Sequence, residues 1–140
     1  MSRRTLVVAG TALVAAFVTA GALAFALTAN SSSPGLDGRQ TVAAPIDGLE
    51  ISVLESNPPQ YVVRIKAGLP SGCAKQHSHA IARAGDIITV TVLNSMPTGN
   101  PVCTMIYGTY DLNLNLGSDF RSGTTYTVRV NDQVKTFTAQ

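Results

Sequence analysis

Charge is scarce in this 140-residue chain: Asp, Glu, Lys and Arg together make up 13% of it. The 10 Lys and Arg include Arg3 and Arg4, so the chain beyond them carries 8 basic residues against 8 acidic ones. Those 8 basic residues are scattered singly, among them Arg64, Lys66, Lys75, Arg83, Arg121, Arg129 and Lys135. Nucleic-acid binding needs a basic stripe that neutralises several phosphates, and none is present. Nucleophilic hydrolysis needs a serine with a positioned base, but no Gly-x-Ser-x-Gly occurs, and Ser71, Ser78 and Asp86 make a triad only on paper. Glu50 and Glu55, five apart, fall on opposite faces of a strand and do not form the carboxylate pair of glycoside chemistry. There is no Cys-x-x-Cys pair and no internal repeat. We therefore expect no catalytic residue, no cofactor and no nucleic-acid partner.

Long uncharged hydrophobic sequence occurs once, over residues 5–30, directly after Ser2-Arg3-Arg4. Positive residues ahead of an apolar run hold that end in the cytoplasm and send the remainder across the membrane. A secretory signal has an apolar core of roughly 7 to 15 residues, whereas spanning takes about 20. The run thus favours an anchor over residues 1–29, with cleavage near Ala24-Phe25-Ala26 as the alternative. Ser2-Arg3-Arg4-Thr5-Leu6-Val7 is similar to a twin-arginine export signal and equally to an ordinary positive flank. No cysteine follows the run, which removes a lipoprotein anchor. Either outcome places the rest outside the cytoplasm.

Residues 30–44, with Ser31-Ser32-Ser33-Pro34-Gly35, have the composition of a flexible tether. Residues 45–140 are enough for one modest core. Their pattern is period two. Leu49, Ile51 and Val53 alternate with polar residues, then Tyr61, Val63 and Ile65, then Ile88, Val90 and Val92 after an Ala84-Gly85-Asp86 turn. Residues 103–116 place Ile106, Tyr110, Leu112, Leu114 and Leu116 in phase, with Gly108 as a bend or bulge. Tyr126, Val128 and Val130 run into Asn131-Asp132, a tight-turn pair, and a last strand returns. About seven or eight short strands in this length predict an all-β, antiparallel, immunoglobulin-like sandwich preceded by the N-terminal helix.

Residues 120–130, Phe120-Arg121-Ser122-Gly123-Thr124-Thr125-Tyr126-Thr127-Val128-Arg129-Val130, resemble the corner of fibronectin type III and related immunoglobulin-like domains. The resemblance implies that the Tyr126 hydroxyl bonds back to the corner backbone. Ser122 stands where that family has proline, and the family's core tryptophan is missing from this Trp-free chain. A second resemblance, to a group of small exported bacterial proteins of unassigned activity, covers residues 45–140. It is carried by Pro58-Pro59-Gln60-Tyr61, Leu69-Pro70-Ser71-Gly72-Cys73, Cys103-Thr104-Met105-Ile106-Tyr107-Gly108 and Leu116-Gly117-Ser118-Asp119-Phe120. It implies an autonomous exported domain and no chemistry.

Cys73 and Cys103 are the only cysteines, and an oxidising compartment predicts that they pair. His77 and His79, two apart on a strand, share a face and offer two ligands for copper or zinc, with the third ligand missing. Residues 94–102 form the longest irregular stretch, and Met96, Pro97, Thr98, Gly99, Asn100 and Pro101 are a candidate binding loop stiffened by its prolines. Its Pro-Thr-Gly is loosely similar to a binding loop of the chagasin-like inhibitors of cysteine proteases, whose other loops are not found here. The sequence thus predicts an extracytoplasmic module, anchored through its N-terminal segment or secreted if that is cleaved. Its partner is an unidentified extracytoplasmic protein or ligand. Protease inhibition through the 94–102 loop, or metal binding through His77 and His79, stand as alternatives.

Overall fold

The structure, a computed structural model, describes residues 38–140; the expected helix over residues 1–29 and the first part of the expected tether lie outside the described residues. Eight strands follow in order: β1 (Arg39–Ala43), β2 (Ile46–Leu54), β3 (Gln60–Leu69), β4 (Lys75–Ala84), β5 (Ile87–Pro97), β6 (Gly108–Gly117), β7 (Thr125–Val130) and β8 (Gln133–Thr138). They form two sheets. One has the order β2-β3-β6; the other has β1, β5, β7 and β8, with β4 on the far edge of β5.

Alternation builds the core between them. Every second residue of β5 (Ile88, Val90, Val92) and β7 (Tyr126, Val128, Val130) is buried, and Val63, Ile65 and Ala67 of β3 meet them from the opposite sheet. β-branched side chains are stiff about χ1 and pack closely on a pleated surface, which suits so thin a core. A second cluster at one end stacks Tyr61, Phe120, Tyr126 and Phe137, with ring centroids 4.7–5.5 Å apart. Within it the Arg121 amide donates to the Tyr126 hydroxyl at 3.0 Å, the bond expected from the corner sequence. Arg83 caps the cluster, its guanidinium 4.5 Å from the Phe120 ring centre while it donates to the Asp119 carbonyl.

Two expectations are corrected. β1 begins at Arg39 and pairs with β5, so the end of the expected 30–44 tether is a strand. Its Thr, Val and Ala are ordinary strand residues whose partner lies some fifty positions away, beyond the reach of local composition. The ladder is also not wholly antiparallel, because β5 and β7 pair in parallel from Ile87↔Thr127 to Val90↔Val130. The chain leaves β5, runs along β6 in the other sheet and crosses back, and this detour is what parallel neighbours require.

β1 and β7 occupy successive lengths of the same edge of β5, and the side chain of Asn131 fills the junction between them. β8 closes against β2, with the Lys135 ammonium donating to the Leu49 carbonyl. β4, by contrast, is exposed along its whole length, because the three-stranded sheet is too narrow to cover it.

Candidate functional site

The end of the sandwich opposite the aromatic cluster gathers the β3–β4 connection, the β5–β6 connection and the start of β1. Cys73 and Cys103 join the two connections in a disulfide, with Cα atoms 5.5 Å apart, as the cysteine content predicted. The Gly72 amide donates to the Thr104 carbonyl at 2.9 Å, and a Cβ on Gly72 would collide with Thr104 Oγ1. Arg39 reaches across from β1, donating to Ser95 Oγ at 2.6 Å, to the Ser95 carbonyl at 2.9 Å and to the Cys73 carbonyl at 2.9 Å. Beneath them Asn94 is fully buried; its amide donates to the Gly68 carbonyl at 2.8 Å and its carbonyl accepts from the Tyr110 hydroxyl at 2.7 Å. A buried amide of one sheet satisfied by two strands of the other ties the sheets together at this end. Burial also pushes the Tyr110 hydroxyl pKa above its ordinary value.

This framework carries a loop, residues 102–107, that projects apolar side chains into solvent. Val102 is fully exposed, Met105 is 89% exposed, Ile106 70% and Tyr107 50%. At its base the Tyr107 hydroxyl donates to the Asp47 carboxylate, 2.9 Å from each oxygen, over Gly68, whose missing Cβ leaves room for the ring. That hydrogen bond, followed by desolvation and the carboxylate's charge, raises the Tyr107 pKa. Single exposed apolar residues are ordinary, but four within six positions form a patch. Removing such side chains from water is worth about 1.5–3 kcal/mol each, so the loop holds binding energy that the fold leaves unused.

Sequence reasoning missed this loop because Ile106 is an even number of residues from Tyr110 and reads as in phase with the buried face. The strand starts only at Gly108, and the Cys103 disulfide together with the Thr104 bond keeps the preceding residues off the ladder. The available signal was the apolar run Val102, Met105, Ile106 and Tyr107 beside a cysteine that had to reach Cys73.

The other expected residues are placed differently. Met96 and Pro97 belong to β5 and pair with Gln40 and Arg39, so the candidate binding loop is not free along its length. The Thr98 amide and hydroxyl both donate to the Gly38 carbonyl at 2.8 Å, which leaves Gly99, Asn100 and Pro101 as a short exposed turn. His77 is the extra residue of a bulge, between Gln76 paired with Asn94 and Ser78 paired with Leu93. The bulge breaks the alternation that was to give His77 and His79 a common face. His79 pairs with the core residue Val92, on the uncovered side of β4. Among the described residues no three His, Cys, Asp or Glu side chains come together as a metal site. Ser71 and Asp86 lie beyond opposite ends of the ten-residue β4 and do not meet. The outer face of the three-stranded sheet has a shallow depression of about 450 Å³ lined by Glu50, Arg64, Lys66, Asp111 and Asn113. Its mixed charges and lack of aromatic lining are those of a solvated sheet face.

Fold and site together define an eight-stranded, two-sheet β-sandwich that presents a disulfide-anchored apolar loop. The chain belongs to the family of the ORF11 beta-sandwich domain, whose sequence model matches residues 63–139, more than half of the 140. Among curated proteins and solved structures, none matches the chain at a significant level.

Proposed function

We propose that this protein is an exported recognition module, held at the cell membrane by its N-terminal segment or released if that segment is cleaved, and that it binds through the 102–107 loop. Its work is non-catalytic. One observation carries the reading: a loop with four exposed apolar side chains, Val102, Met105, Ile106 and Tyr107, is tied down by a disulfide, a backbone bond and a tyrosine–carboxylate bond. A loop already ordered loses little conformational freedom when it binds. Export is supported by the positive flank and apolar run at the N-terminus and by the pairing of the only two cysteines, because disulfides persist in oxidising compartments. Protease inhibition and metal binding find less support, since Met96, Pro97 and Thr98 are committed to β5 and Gly38, and His77 sits in a bulge.

The test is photo-crosslinking in cells that make the full chain, with the photoreactive residue at Met105 or, as a control, at the exposed Val134. Adducts from position 105 that are absent from position 134 are expected. Equal or absent labelling at the two positions would remove the 102–107 loop as a binding site.

A further inference from the structure

We infer that the free edge of β6 is a second binding surface, which takes an extended acidic segment of another polypeptide as a fourth strand of the smaller sheet. The inference goes beyond the 102–107 loop and does not depend on it.

The sandwich is closed on one side and open on the other. On the closed side β8 meets β2, with Lys135 on the Leu49 carbonyl. On the open side β6 lies over β5, with the Tyr110 hydroxyl on Asn94, and β4 extends beyond it. A strand edge carries a row of backbone donors and acceptors, and proteins blunt such edges with short strands, bulges, lysines, prolines and inward-pointing charges. β1 is only five residues long. β4 has Lys75, the bulge at His77 and the inward Arg83. β6 has none of these from Gly108 to Asn115, for it holds no Lys, Arg or Pro and its register with β3 is unbroken over that length. Every second peptide of the stretch turns its amide and carbonyl away from β3, and among the described residues no strand pairs with them.

A strand laid on that edge passes over β4. Antiparallel partners share a face, so His79, Ile81 and Arg83, opposite the core residues Val92, Val90 and Ile88, turn toward the incoming chain. Ile81 is 44% exposed there, and Arg83 uses one N–H on the Asp119 carbonyl and keeps others for an acid. The three side chains recur every second residue, as do the inward side chains of any strand above them. They select an apolar residue over Ile81 and carboxylates over His79 and Arg83, while backbone bonds to β6 hold the strand itself. Charge also decides the source. β4 carries Lys75, His77, His79 and Arg83 and no acid, and Asp111, the acid of β6, is opposite Lys66 on the outer face. A second copy pairing β6 with β6 would bring two such basic strands together, a like-charge juxtaposition that an acidic strand turns into attraction.

The probe is the synthetic peptide Thr-Glu-Thr-Val-Thr-Glu-Thr, capped at both ends, which places Glu, Val and Glu on one face; in its control Lys replaces Glu. The full chain in detergent micelles is followed by amide hydrogen exchange resolved to single residues. Alternate amides of β6 are expected to slow about tenfold with the Glu peptide at about ten times its dissociation constant, and not to respond to the Lys peptide. Ile81→Glu, at an exposed position, is expected to abolish the slowing while the amides of β3 and β7 stay protected and so show that the variant is folded. No slowing at millimolar peptide, equal slowing by both peptides, or slowing retained in folded Ile81→Glu overturns the inference. Slowing confined to residues 102–107 assigns the peptide to the loop and overturns it as well. Edge amides of β6 that are already slow without peptide overturn it in one of two ways: protection lost on dilution makes the occupant a second copy, and protection independent of concentration makes it a segment of this chain.

Discussion

Asn131 completes the edge of β5 at Val92. β7 pairs with β5 as far as Val90 and β1 pairs with it from Leu93 onward; between them the Ala44 amide still donates to the Val92 carbonyl at 2.9 Å, but among the described residues the Val92 amide meets no backbone carbonyl on this edge. The Asn131 side-chain carbonyl accepts from the Val92 amide at 3.0 Å, and its NH2 donates to the Val92 carbonyl at 2.9 Å and to the Ala44 carbonyl at 2.8 Å. A carboxamide has the donor and acceptor of a peptide unit, so one side chain supplies the acceptor that the Val92 amide lacks and a second donor to the Val92 carbonyl. Asn131 also holds φ at +48°, a conformation that asparagine tolerates better than most residues.

Asn131→Ala loses those three bonds and adds backbone strain, at a cost of about 2–4 kcal/mol by the usual worth of such terms. Asn131→Gly, relieved of the strain, is expected to lose less. Asn131→Asp keeps the acceptor but turns a carboxylate toward two carbonyls, and should be at least as damaging as alanine. Urea unfolding of the three variants gives the order, and equal losses for glycine and alanine would show that the φ requirement is negligible.

Reduction of the Cys73–Cys103 bond frees a loop spanning 30 positions, which on the chain-entropy account costs about 3–4 kcal/mol. For a domain with so small a core the unfolding midpoint should fall steeply in dithiothreitol, and the Cys73→Ser, Cys103→Ser double variant should match the reduced protein. A midpoint insensitive to reductant would mean that the unfolded chain gains little freedom.

Tyr126→Phe strips the partner from the Arg121 amide while leaving the ring in the aromatic cluster. An amide left unsatisfied at a part-buried corner costs about 1–3 kcal/mol. Tyr61→Phe, which releases the amide of the exposed Gln140, should cost less because water can replace the lost partner there. Thermal melts of the two variants separate the cases.

Tyr107 should titrate above an ordinary tyrosine because ionisation would end its donation to Asp47 and place two anions side by side. Its folded pKa is raised, so the stabilising contribution is present below the ordinary tyrosine range and is lost as pH climbs through the folded value. The expected loss is therefore confined to alkaline pH. Asp47→Asn should bring one tyrosine of the ultraviolet titration curve down. A curve unchanged by Asp47→Asn would show that the carboxylate does not hold the hydroxyl.

Much of this architecture could be read from residues close in sequence, because the causes are local. The burial of Val63 and Ile65 on either side of Arg64, and of Ile88, Val90 and Val92 around Thr89 and Thr91, follows from the two-residue period of a pleated strand. The Gly85-Asp86 and Asn131-Asp132 turns follow from which residues accept positive φ. The Cys73–Cys103 pair follows from there being no other cysteine, and the Tyr126 bond from a corner only a few residues long. Tertiary structure alone decided the rest. Arg39–Ala43 becomes a strand because β5 has an edge to fill, and the parallel partnership of β5 with β7 arises from a detour through the opposite sheet. Period two reports which face is buried and says nothing of a neighbour's direction. Ile106 turns outward, against its phase with Tyr110, because a disulfide and a backbone bond from the β3–β4 connection hold residues 102–107 away from any ladder. The candidate site is made by contacts between segments some thirty positions apart, and that is why the sequence pointed to the neighbouring turn instead.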